Sequence, residues 1–186
     1  MANLLFQELR AEFLQEMSLF NNGIPREAGF SVIPNKIKVA IGMRRSGKTY
    51  FLLQHIHALQ KNGIPLSQIF FMSFEDDRLL PMSQESLRSF INEFYSLYPE
   101  NHGKTCYFFL DEIQNVADWS TLVRRIFDSK SVELYLTGSS SKLLSTEIHT
   151  SLRGRSLANE IYPFSFSEYL TFHQIKRPKK TQYLLW

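Results

Sequence analysis

Eight consecutive residues, Gly42-Met43-Arg44-Arg45-Ser46-Gly47-Lys48-Thr49, have the types and spacing needed to hold a phosphate chain. The pattern is glycine, any four residues, then Gly-Lys-Thr, the signature of a phosphate-binding loop. Gly42 and Gly47 let the backbone turn tightly and let phosphate oxygens approach without a side chain in the way. Successive backbone N–H groups then point inward as an anion nest. Lys48 places a mobile cation on the terminal phosphates, and Thr49 offers its hydroxyl to Mg²⁺. A helix that starts there directs its positive N-terminal end at the ligand. The candidate nucleotide-binding residues are Gly42, Met43, Arg44, Arg45, Ser46, Gly47, Lys48, Thr49 and Tyr50. Of the two arginines, at least one is placed to contact phosphate or a partner while the other faces solvent.

A second stretch, Tyr107-Phe108-Phe109-Leu110-Asp111-Glu112, runs from four apolar residues into two carboxylates. That is the pattern of a buried strand emerging at the ligand edge of a sheet. Asp111 would hold the Mg²⁺ shell together with Thr49, and Glu112 would orient or deprotonate the water attacking the terminal phosphate. Alone, two acids at a strand end read as ordinary solvent-facing residues; joined to the glycine loop they become candidates. Glu75 and Asp76 follow another apolar run and either serve the same water and metal or cap a helix. His55 and His57 stand two residues apart on one expected helix, hence on different faces, which argues against a metal site.

Holding these residues in place takes regular elements on either side. Leu4, Leu5, Leu9, Phe13, Met17 and Phe20 recur at helical spacing and predict an amphipathic helix over 3–20. Gly23, Pro25, Gly29 and Pro34 make 21–34 a connector. Strands are predicted over 36–41, 69–74, 105–110, 132–137 and 157–162, with helices over 48–61, 84–97 and 119–127. Apolar strands alternating with helices specify an α/β fold with a parallel sheet covered on both faces.

Composition sets the bounds. The chain has 186 residues, 44% hydrophobic and 21% charged, which suits one globular domain with a sizeable core. Its single cysteine, Cys106, lies in an apolar run, so no intrachain disulfide is available and a cytoplasmic location is the expectation. No run reaches the roughly 18 apolar residues of a bilayer span, and Glu8, Arg10, Glu12 and Glu16 interrupt the N-terminus, so neither a signal peptide nor a membrane partner is expected. The net charge is +3, yet 36–61 carries six cations and no acid, a field suited to an anionic ligand. The basic run Lys176-Arg177-Pro178-Lys179-Lys180 reads as a solvated tail, with nucleic acid as the sharper alternative.

Taken with Leu136-Thr137-Gly138-Ser139-Ser140 and Leu152-Arg153-Gly154-Arg155, the two chemical stretches resemble the AAA-type ATPases of bacteria and archaea. Phe74-Glu75-Asp76 and Tyr162-Pro163-Phe164-Ser165-Phe166-Ser167-Glu168-Tyr169-Leu170 narrow the likeness to the group whose AAA domain is usually followed by a poorly characterised C-terminal domain. The likeness covers about residues 10–172. It implies a P-loop three-layer sandwich with a five-stranded, mostly parallel sheet of the additional-strand type and an N-terminal helix. The strand over 69–74 intervenes between the phosphate loop and the acidic strand, and in that class an adjacent glutamate, here Glu112, accompanies the insertion. ATP and Mg²⁺ are the implied ligands.

By the same resemblance a polar residue ending strand four senses the terminal phosphate; Ser139 matches, with Thr137 and Ser140 as rivals. Arg153 or Arg155, the latter first, matches an arginine finger presented to a neighbouring subunit's nucleotide, which implies a homo-oligomer. An ordinary surface arginine is the equal alternative. The expected division is an N-terminal helix and connector over 1–35, the ATPase core over 36–172 and a basic tail over 173–186. Only residues 163–186 follow the fifth predicted strand, so the helical lid of an AAA module is expected to be absent.

The leading expectation is ATP hydrolysis with Lys48, Glu112, Ser139 and Arg155 as catalytic residues. Three alternatives stand beside it: a nucleotide switch with little turnover, a phosphoryl transferase using Arg153 and Arg155 as a substrate lid, and a nucleic-acid module using the basic tail. The absence of an Asn-Lys-x-Asp element after the acidic strand argues against guanine.

Overall fold

A computed structural model describes residues 4–21, 23–139 and 150–176. Its strands are β1 (Ile37–Gly42), β2 (Ile69–Ser73), β3 (Cys106–Asp111), β4 (Val132–Ser139) and β5 (Ser156–Glu160). Its helices are α1 (Leu4–Leu19), α2 (Lys48–Lys61), α3 (Gln84–Leu97), α4 (Trp119–Ser129) and α5 (Phe166–Phe172). The ranges of α2 and α3 are those expected from their periodicity. β4 runs two residues further than expected, because Gly138 and Ser139 pair with Ile41 and Gly42 instead of turning. The helix α5 is an addition to the expected elements. Ser165 caps it, its hydroxyl accepting the Glu168 N–H while the Glu168 side chain accepts the Ser165 N–H.

The five strands form one sheet in the order β2-β3-β4-β1-β5, and every pairing among them is parallel. The strand that separates β1 from β3 in space is β4. β2, which separates them along the chain, lies at the sheet edge.

Side chains alternate between the two faces, as the strand period requires. Ile37, Val39 and Ile41 of β1 join Phe108, Leu110, Leu134 and Leu136 under α3 and α4. Phe109 and Tyr135 face the other way and pack against Leu52, Leu53 and Ile56 of α2. The result is three layers, with all six residues of β1 buried at the centre. Among the described residues no helix is long and apolar enough to cross a membrane.

The edge strand β2 is covered by α1, whose Phe6 enters the core on the α3 side while Phe13 and Met17 enter it on the α2 side. Between them Arg10, 5% exposed, donates from Nη1 to the Ile69 carbonyl at 2.8 Å, from Nη2 to the Leu66 carbonyl at 2.5 Å and from Nε to the Tyr98 hydroxyl at 3.2 Å. Its guanidinium also sits 5.2 Å from the Phe13 ring centre and 5.1 Å from that of Tyr98. A charge on a core-facing helix therefore supplies donors that the edge of the sheet lacks. Arg10→Met should lower the unfolding free energy by about 2–4 kcal/mol in a denaturant titration, because both carbonyls lose a charged donor. A change under about 0.5 kcal/mol would remove this role.

His55 lies among Phe30, Phe109 and Tyr135. Burial, helped by the charge of Lys38, pushes its imidazole down from 6.5 to about 4. The unfolded chain takes up this proton at higher pH than the native one, so the full stability is present above 6.5 and is lost as pH falls toward 4. Between those values the thermal midpoint of the wild type should fall more steeply than that of His55→Phe. Parallel curves would show that His55 stays outside the linkage.

Candidate functional site

With all strands parallel, Gly42, Ser73, Asp111 and Ser139 end four of them at one edge of the sheet. The phosphate loop follows β1 there and runs directly into α2. A Cβ on Gly42 would lie 2.3 Å from the Ile161 carbonyl oxygen, so backbone packing alone demands glycine. Gly47, at φ 89°, supplies the left-handed turn that starts α2 and contributes no side-chain cap, which leaves the first-turn N–H groups open to a ligand. Arg44, Arg45, Gly47, Lys48, Thr49, Glu75 and Glu112 line a cleft of about 310 Å³ at this point.

Lys48 is 4% exposed, and its Nζ contacts the Met43 carbonyl at 3.2 Å and the Glu112 Oε1 at 3.0 Å. Glu112 is brought to that position by a left-handed backbone at φ 52°, which begins a short 3₁₀ turn over Ile113–Asn115. Its other carboxylate oxygen accepts Gln114 Nε2. One β-residue earlier, Asp111 is fully buried. Thr137 Oγ1 donates to its Oδ1 at 2.5 Å, while Thr49 Oγ1 at 2.9 Å and Ser73 Oγ at 3.1 Å donate to its Oδ2. Burial pushes the Asp111 carboxyl above its ordinary range; the three hydroxyls offset part of this, and the neighbouring Glu112 adds to it.

The residues fit a nucleotide and a hard cation. Asp111 and Thr49 offer adjacent oxygen donors of the kind Mg²⁺ takes. The buried Ser46 hydroxyl has no partner among the described residues, an open polar group inside the loop.

The other expected site residues divide. Ser139 stands beside Gly42 at the same edge, whereas its rival Ser140 lies outside the described residues. Thr137 is committed to the acids, since its Oγ1 also accepts the Glu112 N–H at 2.8 Å. Glu75 lines the cleft, while Asp76 caps a 3₁₀ turn by accepting the Arg78 N–H at 2.9 Å. Met43 contributes its carbonyl and exposes its side chain. Tyr50 turns away: its hydroxyl donates to the Asn21 carbonyl at 2.7 Å and its ring packs on Phe20. Arg155 precedes β5 at the opposite edge of the sheet, where its carbonyl accepts the Ile37 N–H and its Nε pairs with Asp128 at 3.1 Å. A strand length, roughly 17–20 Å, therefore separates it from its own chain's loop. Of the basic run only Lys176 lies among the described residues.

Three residues of the site escaped sequence reasoning. Ser73 and Gln114 look like ordinary polar residues next to apolar runs. Arg26 lies in the connector, yet its Nη1 donates to the Ser46 carbonyl of the loop at 3.1 Å. No local pattern marks it. Its partner Glu168 entered the sequence reading only within the Tyr162–Leu170 stretch that carries the family resemblance.

Residues 34–170 match the AAA domain family. This chain belongs to that family. Membership places the AAA domain described here among the P-loop ATPase domains and supports a nucleotide-binding, ATPase-type function. An uncharacterized protein of Methanocaldococcus jannaschii is 41% identical over 177 residues, which are 95% of this chain and 37% of that protein. An uncharacterized protein of Haemophilus influenzae is 37% identical over 135 residues, 72% of this chain and 33% of that one. The chain thus spans about a third of the length of these relatives.

Among solved structures, AMPPCP-bound DnaA from Aquifex aeolicus is 16% identical, with a TM-score of 0.46 over 99% of this chain and 56% of that one. The Aeropyrum pernix ORC1 protein in complex with DNA is 12% identical, with a TM-score of 0.47 over 91% and 47%.

Thr137→Val keeps the shape of the side chain and removes the hydroxyl shared by Asp111 and the Glu112 N–H. It should lower the unfolding free energy of the AAA domain by about 1–3 kcal/mol, with Thr137→Ser retaining most of it. Loss in Thr137→Ser with none in Thr137→Val would point to packing of the methyl group instead.

Proposed function

We propose that this AAA domain binds ATP with Mg²⁺ and hydrolyses the bond to the terminal phosphate. The observation that carries the reading is the meeting of Lys48 with Glu112 at 3.0 Å and of Thr49 with Asp111 at 2.9 Å. A phosphate-binding cation, a candidate base and the Thr49 hydroxyl thereby line one cleft, with the buried Asp111 carboxylate hydrogen-bonded to that hydroxyl behind it. The loop N–H groups and Lys48 bind and orient the phosphates, and Arg44 or Arg45 adds charge at the mouth. Asp111 and Thr49 would hold Mg²⁺, which supplies charge neutralisation on the phosphate oxygens. Glu112, released from Lys48 when phosphate takes its place, holds a water by hydrogen bond and accepts its proton. Ser139, paired with Gly42 at the end of β4, donates to the terminal phosphate in this reading. Arg155 stands too far from its own chain's loop to serve it, so in this reading it completes the site of a neighbouring copy.

A second reading is a nucleotide switch with little turnover. It is favoured by the Lys48–Glu112 ion pair, which engages both groups until a phosphate displaces the carboxylate.

The test measures nucleotide affinity and phosphate release on the same samples with ATP and Mg²⁺. Lys48→Ala should lose both. Glu112→Gln should keep binding and lose turnover by at least about a hundredfold. Arg155→Ala should keep binding and lose turnover by about a thousandfold, with the loss relieved by mixing in Glu112→Gln chains that supply Arg155. Wild-type binding without phosphate release selects the switch. No nucleotide binding discards both readings.

A further inference from the structure

We infer that Arg26 is a positioning residue for the phosphate loop, aiming the Gly47 N–H into the cleft from behind; the inference rests on the nucleotide-binding reading above. Arg26 belongs to the glycine- and proline-rich stretch before β1, yet its side chain is only 6% exposed. All three faces of its guanidinium fork are used. Nε donates to Glu168 Oε1 at 3.0 Å, Nη1 to the Ser46 carbonyl at 3.1 Å, and Nη2 to the Tyr162 carbonyl. The Phe164 ring lies 5.4 Å below the guanidinium carbon. Glu168, 5% exposed, is itself held by the Ser165 and Glu27 N–H groups, each at 2.7 Å. The arginine is therefore fixed between two segments that are far apart in the chain, the phosphate loop and residues 162–168, and it presents one N–H to the loop.

The consequence for the loop follows from peptide geometry. The Ser46 carbonyl and the Gly47 N–H belong to one planar trans peptide, so they point in opposite directions. An arginine that holds the carbonyl on the outer side turns the N–H toward the inner side, and Gly47 lines the cleft. The constraint matters because Gly47, at φ 89°, has no Cβ to restrict its rotation. A Cβ built on Gly47 would stand 3.1 Å from Arg26 Nη1, so the guanidinium packs directly against this residue. Lysine keeps the charge opposite Glu168 but lacks a planar fork able to reach both carbonyls.

Nucleotide affinity and thermal midpoints of the full chain distinguish this role from general packing. The samples are wild type, Lys48→Ala, Arg26→Lys, Glu168→Gln and the Arg26→Lys/Glu168→Gln double variant, each titrated with Mg²⁺-ATP and Mg²⁺-ADP. Arg26→Lys should weaken ATP and ADP alike by about tenfold, because loop N–H groups cradle the phosphates that both share, while its thermal midpoint stays within about 3 °C of wild type. Glu168→Gln should weaken binding in the same direction, and the double variant should lose little beyond the worse single one, since both act through one contact. ATP affinity within twofold of wild type in Arg26→Lys, with binding abolished in Lys48→Ala, overturns the positioning role and leaves the nucleotide reading intact. Loss of affinity only in proportion to a falling midpoint also overturns it. A wild type that binds neither nucleotide removes the nucleotide reading and this role together.

Discussion

A carboxylate buried with no solvent contact is the constraint on which this arrangement depends. Asp111 must be compensated by donors within the fold, because an uncompensated charge in the interior costs several kcal/mol. Its three hydroxyl partners come from three different elements: Thr49 from α2, Ser73 from β2 and Thr137 from β4. β2 and β4 must therefore flank β3, and the first turn of α2 must reach across β4 from β1. The strand order β2-β3-β4-β1-β5 meets both demands. Thr137 then does double duty, since it also accepts the Glu112 N–H and so fixes where the second carboxylate begins.

Electrostatics at the cleft follow from that placement. Lys48 and Glu112 pair with each other, while burial keeps the Asp111 carboxyl above its ordinary range against the opposing effect of its hydroxyl partners. A divalent cation is the natural complement of such a group, and a phosphate is the natural competitor of Glu112 for the lysine.

Two buried arginines do comparable work away from the chemistry. Arg10 serves the carbonyls of Leu66 and Ile69 at the edge strand. Arg26 serves those of Ser46 and Tyr162 beside the phosphate loop. In both cases one planar guanidinium satisfies two backbone acceptors at once, which a single main-chain donor cannot do. These contacts join the N-terminal helix and connector to the sheet, although both stretches looked peripheral to it.

The phosphate loop and Asp111-Glu112 were legible in the sequence because their chemistry is local. A glycine at each turn, a lysine at the helix start and acids after an apolar strand are consequences of neighbouring residues. The α/β class and the ranges of α2 and α3 were legible for the same reason, since periodicity is a property of short windows. What only the tertiary structure decided is everything that depends on which strand lies beside which. It put β4 between β1 and β3, gave Thr137 to the acids, turned Tyr50 toward Asn21 and set Arg155 at the far edge. It also brought Arg26 to Glu168 across 142 positions of sequence, a contact that no spacing rule encodes because it arises only when the sheet is assembled.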